Sequence, residues 1–198
     1  MGEEAFRGLL PTWNGFREET KVWLIEWGMR RYPLHAAGLI ADTLRGEEVP
    51  LIRAALRCLR NRDALQPLFR PLLNQLVHHS IPAVRAAAIE AGGVVEYPHA
   101  IKILKAEPPE VRLAILQSIA TSKDRAYAID MTTLLRDSDW RIRAAASAAL
   151  TAMGGSAVDI LRPLVDDPDA HVRVAAMNVL LALGEECPLV ETIQGGGG

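Results

Sequence analysis

Five histidines and two cysteines are the residues here with the richest chemistry, and none stands in a spacing that would use it. His35, His78, His79, His99 and His171 are each a possible metal ligand or proton carrier. None is followed by glutamate, so the paired His-Glu steps of a di-iron site are missing. His78 and His79 are adjacent, and neighbours on a helix point about 100° apart. With no cysteine nearby they do not make a zinc set. Cys58 and Cys187 are too few for a disulfide framework and read as thiols in a reducing, cytoplasmic setting. Cys58 has no histidine beside it to take its proton. Gly92-Gly93 and Gly154-Gly155 belong to no GxxxxGK[ST] or GxGxxG, so they read as helix stops rather than phosphate loops. The sequence therefore predicts no enzyme, no catalytic residue, no cofactor and no metal.

The totals point the same way. The chain has 198 residues, with 22 Lys and Arg against 24 Asp and Glu, a formal net charge of -2. A general nucleic-acid binder carries a basic excess, so nucleic acid is not the expected partner. Hydrophobic residues make up 49% but aromatics only 5%, and the Ala and Leu that dominate favour helix over strand. The start, MGEEAFRGLL, is acidic where a signal peptide is basic. No run of about 18 apolar residues occurs, so no membrane span is expected. The four glycines at 195–198 read as a flexible tail outside the fold.

What must position any binding residue is a repeat. Ile or Val, then Arg, then a variable residue, then Ala recurs at Arg53, Arg85, Arg112, Arg143 and Arg173, spaced 32, 27, 31 and 30 residues apart. Three positions before the first three arginines stand Pro50, Pro82 and Pro109, which suit a first helical turn. Before the last two helices Asp139 and Asp169 stand as N-caps. Helices are thus predicted to begin near 50, 82, 109, 140 and 170. Each follows another helical segment, at 34–44, 65–77, 99–105, 124–136 and 157–166. The expectation is all-α: about five helix–turn–helix repeats over 33–194, after an N-terminal capping segment over 1–32.

This pattern resembles the HEAT-repeat family, in particular its short bacterial form seen in phycobilin-lyase-type proteins. The resemblance implies an α-solenoid wound as a right-handed superhelix. It also implies a ladder in which a turn aspartate bonds the arginine of the second helix. Asp137 stands six residues before Arg143, and Asp167 six before Arg173. Glu47, His79 and Ala106 hold that place earlier, so the implied ladder covers the last two repeats.

Helical spacing divides each second helix into two faces. Relative to the arginine, positions -1, +2, +3 and +6 are assigned to the core, with an alanine at +2 in every repeat, such as Ala145 and Ala175. Positions -2, +1 and +5 are assigned to a concave groove: Leu51, Ala54, Cys58; Ala83, Ala86, Glu90; Glu110, Leu113, Gln117; Arg141, Ala144, Ala148; His171, Val174, Asn178. Only Glu90, Glu110 and Arg141 of these carry charge, fewer than a solvated face would hold. Arg53, Arg57 and Arg60 form a separate stripe suited to an acidic peptide or phosphate groups. At the N-terminus Trp13, Trp23 and Trp27 read as an aromatic plug that seals the first repeat.

The expected function is a scaffold or adaptor that holds a segment of another protein. Its contacts are assigned to Glu110, Leu113, Gln117, Arg141, Ala144, His171, Val174 and Asn178, with Arg57 and Arg60 as a second patch. Two alternatives stand beside it: an accessory of tetrapyrrole chemistry like the phycobilin lyases, and nucleic-acid binding as in HEAT-like DNA glycosylases.

Overall fold

The computed structural model describes residues 2–62, 64–95, 104 and 106–186. Helix makes up 78% of them and no strand occurs among them. The chain forms two compact units, Met1–Val95 and Glu96–Gly198. The predicted helix at 99–105 lies outside the described residues, apart from Leu104. So do Cys187, His99 and the glycine tail.

The first unit runs α1 (Glu3–Leu9), a 3-10 turn (Leu10–Gly15), α2 (Glu18–Arg31), α3 (Pro33–Arg45), α4 (Val49–Leu59), α5 (Gln66–Leu76) and α6 (Pro82–Glu90). Proline stands in the first turn of α3, α4, α5 and α6, where no N–H partner is lost. Helices α2 and α3 pack on α4, α4 packs on α6, and α3 packs on α5. Ile25, Met29, Ile40, Ile52, Leu56 and Phe69 fill the space between them.

The second unit runs α7 (Pro109–Ser122), α8 (Ala128–Leu134), α9 (Trp140–Met153), α10 (Val158–Leu161) and α11 (Ala170–Ala182), with short 3-10 turns before α8 and on both sides of α10. Helix α9 packs on α7, α8 and α11 around Ile115, Met131, Ile142, Leu150 and Leu180. The carboxylates of Asp139 and Asp169 cap α9 and α11 as expected, accepting from the N–H of Arg141 (2.9 Å) and His171 (2.8 Å). The stretch Trp140–Asp166 reaches a mean hydropathy of 1.3 over 18 residues. It is not one rod, because Gly154 ends α9 at φ +66°, a conformation that favours glycine.

The predicted start of α4 is off by one residue, with a large consequence. In α6, α7, α9 and α11 the repeat arginine donates its N–H to the carbonyl of the residue just before the helix: Arg85 to Ile81, Arg112 to Pro108, Arg143 to Asp139, Arg173 to Asp169. In α4 the residue in that register is Ile52, which donates to Glu48 (3.0 Å). Arg53 lies one step further, about 100° around the helix. Leu51 and Ala54 are therefore buried and Cys58 half-buried, not groove residues, while Arg53 and Arg57 are exposed in their stead. The same register in α2 falls on Lys21, whose N–H donates to Arg17 (3.0 Å). Helix α2 packs on α4 as α4 packs on α6, which puts it in line with the second helices of this unit.

The aromatic plug is also differently composed. The side chain fully buried at this end is Phe6, whose ring lies over Gly28; a Cβ there would meet it at 2.5 Å. Trp27 and Tyr32 flank Phe6, with ring centroids 5.6 and 6.0 Å away. Trp23 stacks on Trp27 and stays 52% exposed, and Trp13 is half-buried beside the Lys21 ammonium.

Candidate functional site

The turns that set the second helices in place are wired through backbone carbonyls. Arg143 Nη1 donates to the carbonyls of Asp137 (2.7 Å) and Ser138 (3.1 Å), and Arg173 Nη1 to those of Asp167 (2.8 Å) and Pro168 (3.0 Å). Arg85 does the same to His79 and Ser80, in a repeat with no turn aspartate. The carboxylates serve other partners. Asp137 accepts from Arg112 and from the N–H of Asp139, and Asp167 accepts from Arg136 and from the N–H of Asp169. The ladder between repeats therefore runs from the Asp137 carboxylate back to Arg112, and the expected carboxylate pairs with Arg143 and Arg173 are replaced by carbonyl bonds.

The aspartates that end each turn are tied as firmly. Arg141 closes both arms of its fork on Asp139, Nε at 3.1 Å and Nη2 at 2.7 Å. That side-chain bond, and then the backbone N–H of Arg141, holds the Asp139 carboxyl below the usual aspartate range. Its folded-state value is depressed, so the capped form persists as pH falls through the ordinary range and is lost only below it. Arg141 was assigned to partner contact; it is exposed but already committed to this cap.

The groove itself forms between α9 and α11. Ala144, His171, Val174 and Asn178 come together with Ser147 and Ala175 around an open hollow of about 330 Å³. Val174 is 56% exposed, and Leu181, seven residues on along the same stripe, is 50% exposed. On α7, Glu110 and Gln117 are exposed and Leu113 is half-buried; none of the three borders this hollow. Ala145 and Ala175, assigned to the core, are half-buried. The fully enclosed alanines are the next ones, Ala146 and Ala176.

Arg57 and Arg60 are exposed, and each is engaged in one ion pair. Arg57 pairs with Glu26 at 3.0 Å and Arg60 with Glu90 at 3.1 Å, each bridging to a neighbouring helix. The sequence also gave no sign of a hollow of about 540 Å³ in the first unit, walled by Trp13, His35, Asp42 and Glu47. It depends on how the turn after α1 folds against α3, which no periodicity encodes.

Two of the histidines have structural work. His79 Nδ1 accepts the N–H of Ile81 at the start of α6, and His35 lies 3.0 Å from Glu3. Among the described residues no three His, Cys, Asp or Glu side chains converge into a set able to hold a metal ion. Burial, and then Glu26, pushes the Cys58 thiol up from its ordinary value against the pull of Arg62, Arg57 and Arg30. The thiolate is the nucleophile. In a Cys187→Ser background, Cys58 is therefore expected to react with iodoacetamide at about pH 7.5 more slowly than a small free thiol. Its rate should climb only as pH passes the ordinary thiol range. Fast alkylation at neutral pH would contradict this environment.

Comparison with known proteins bears on the second unit. Curated proteins give no match to the chain. Residues 97–184 match the family model for HEAT repeats, so that segment, with its hairpin turns and repeat arginines, is similar to the HEAT-repeat family.

Proposed function

We propose that this chain is a non-catalytic scaffold that holds a segment of another protein in the groove between α9 and α11. HEAT repeats commonly serve as protein-interaction scaffolds. The observation that carries the reading is the exposed, small and apolar surface of two adjacent helices: Ala144 on α9 and Val174 on α11 line one hollow, with Ala148 and Leu181 exposed further along the same helices. The alanines let a partner's backbone come close. Val174 and Leu181 give it something to bury, each worth about 1.5–3 kcal/mol if fully enclosed. Asn178 and His171 stand among them as polar groups that fix register.

The test compares tagged wild type with Val174→Glu in quantitative capture from the source cell. Val174 points away from the core, so the variant's melting temperature should match wild type. Its specific partner should fall about tenfold or more, because the new carboxylate must be desolvated on binding. Equal capture by a folded variant would remove the groove from the reading. A gel shift with DNA, or an absorbance band on adding bilin, would replace it with one of the alternatives.

A further inference from the structure

The register of α4 gives the first unit a binding face unlike that of the second. Arg53 and Arg57 stand on α4 at the positions that Ala144 and Ala148 hold on α9, and Val174 and Asn178 on α11. The same positions are Val22 and Glu26 on α2, with Arg30 one turn further, and Ala86 and Glu90 on α6. Arg30, Arg53, Arg57 and Arg60 are all exposed. We propose that this row of arginines across α2 and α4 binds an extended acidic peptide segment through its carboxylates.

Three observations carry it. The first is a surplus of cation: Glu26 and Glu90 each take one arginine, while Arg30 and Arg53 have no ion pair among the described residues. Glu19 is also on this face but near the start of α2, about 16 Å from Arg30 by helical rise. The second is preorganisation. Arg57 and Arg60 are steered by single N–H bonds to neighbouring helices, at 3.0 and 3.1 Å, which leaves most of each guanidinium's five donors open. The third is convergence: the Arg57–Glu26 pair ties α4 to α2, and Arg30 stands one helical turn beyond Glu26.

The chemistry favours a peptide over nucleic acid. The guanidinium fork matches a carboxylate with two parallel bonds. Exposed pairs such as Arg57–Glu26 are worth little, so an incoming carboxylate exchanges with Glu26 at small cost. A phosphate at every nucleotide would instead be driven against Glu26 and Glu90, and the chain as a whole is at -2. Packed helices lie about 8–10 Å apart and an extended chain rises about 3.3 Å per residue. Crossing from Arg30 on α2 to the arginines of α4 therefore takes roughly three residues of an extended segment, and acidic residues at that spacing match the two helices.

The experiment is fluorescence anisotropy on the full chain with three probes of equal negative charge. These are a peptide with glutamate at every third position, a peptide with its glutamates clustered, and a single-stranded oligonucleotide. The spaced peptide should bind best. Arg53→Ala with Arg57→Ala should weaken it about tenfold or more, and added salt should abolish it. Val174→Glu should leave it unchanged, which separates this face from the groove of the second unit. The inference is overturned if the spaced peptide fails to bind at low salt, if the double variant binds it as wild type does, or if the oligonucleotide binds as well or better. Thermal melts of the exposed-site variants confirm that folding is retained.

Discussion

Replacing Asp137 with Ala is expected to destabilise the second unit by about 3–5 kcal/mol, the range for removing one partner of a buried ion pair. Asp137 and Arg112 are nearly enclosed, their side chains 14% and 16% exposed. One carboxylate oxygen takes Arg112 and the other takes the N–H of Asp139 at 2.9 Å. The mutation strands a guanidinium that already has a buried, unpartnered Nε, and it frees a backbone donor in the turn that launches α9. Asp137→Asn keeps an acceptor for the turn N–H and loses only the charge, so it should fall between. Asp167→Ala removes the equivalent contacts, but its partner Arg136 is 45% exposed and can turn to water. Its cost should be smaller, about 1–3 kcal/mol. Urea unfolding of the three variants checks the order. Asp137→Ala no less stable than Asp167→Ala would mean that the ladder back to Arg112 holds nothing together.

That ladder shows what could be read from the sequence and what could not. Helix starts were legible because their punctuation is local. Pro82, Pro109, Asp139 and Asp169 each mark a first turn by their own chemistry, and the helices begin where they stand. Pro50 marks a first turn too, but proline is tolerated at either of the first two positions. Here Val49 opens the helix and Pro50 is second. One residue of slip turned Arg53 outward and Leu51 and Ala54 inward, so the motif matched the letters of the repeat and missed its phase. Glu48 precedes the helix without a side-chain cap bond, so nothing local announced the earlier start. The carbonyl clamp of Arg85, Arg143 and Arg173 was hidden for a different reason. Every residue has a carbonyl, so no side-chain pattern announces the acceptor. The contact of Phe6 with Gly28 joins two helices across 22 residues and leaves no periodic trace.

The two adjacent alanines of α11 should separate fold from binding. Ala176 is fully enclosed, as is its counterpart Ala146 on α9. Ala176→Leu has no room for three further carbons and should overpack the interface, at a cost of about 1–3 kcal/mol. Ala175 is half-buried and borders the open hollow with Ala144, Ser147 and Val174. Ala175→Leu can lay its side chain into that hollow, so its stability should stay within about 0.5 kcal/mol of wild type. The same side chain would occupy the space proposed for a partner, and capture should drop although folding does not. Thermal melts paired with quantitative capture read both outcomes on one helix. If Ala175→Leu destabilises as much as Ala176→Leu, then +2 belongs to the core and the hollow is not open. If it is stable and captures the partner as wild type does, the partner does not lie between α9 and α11.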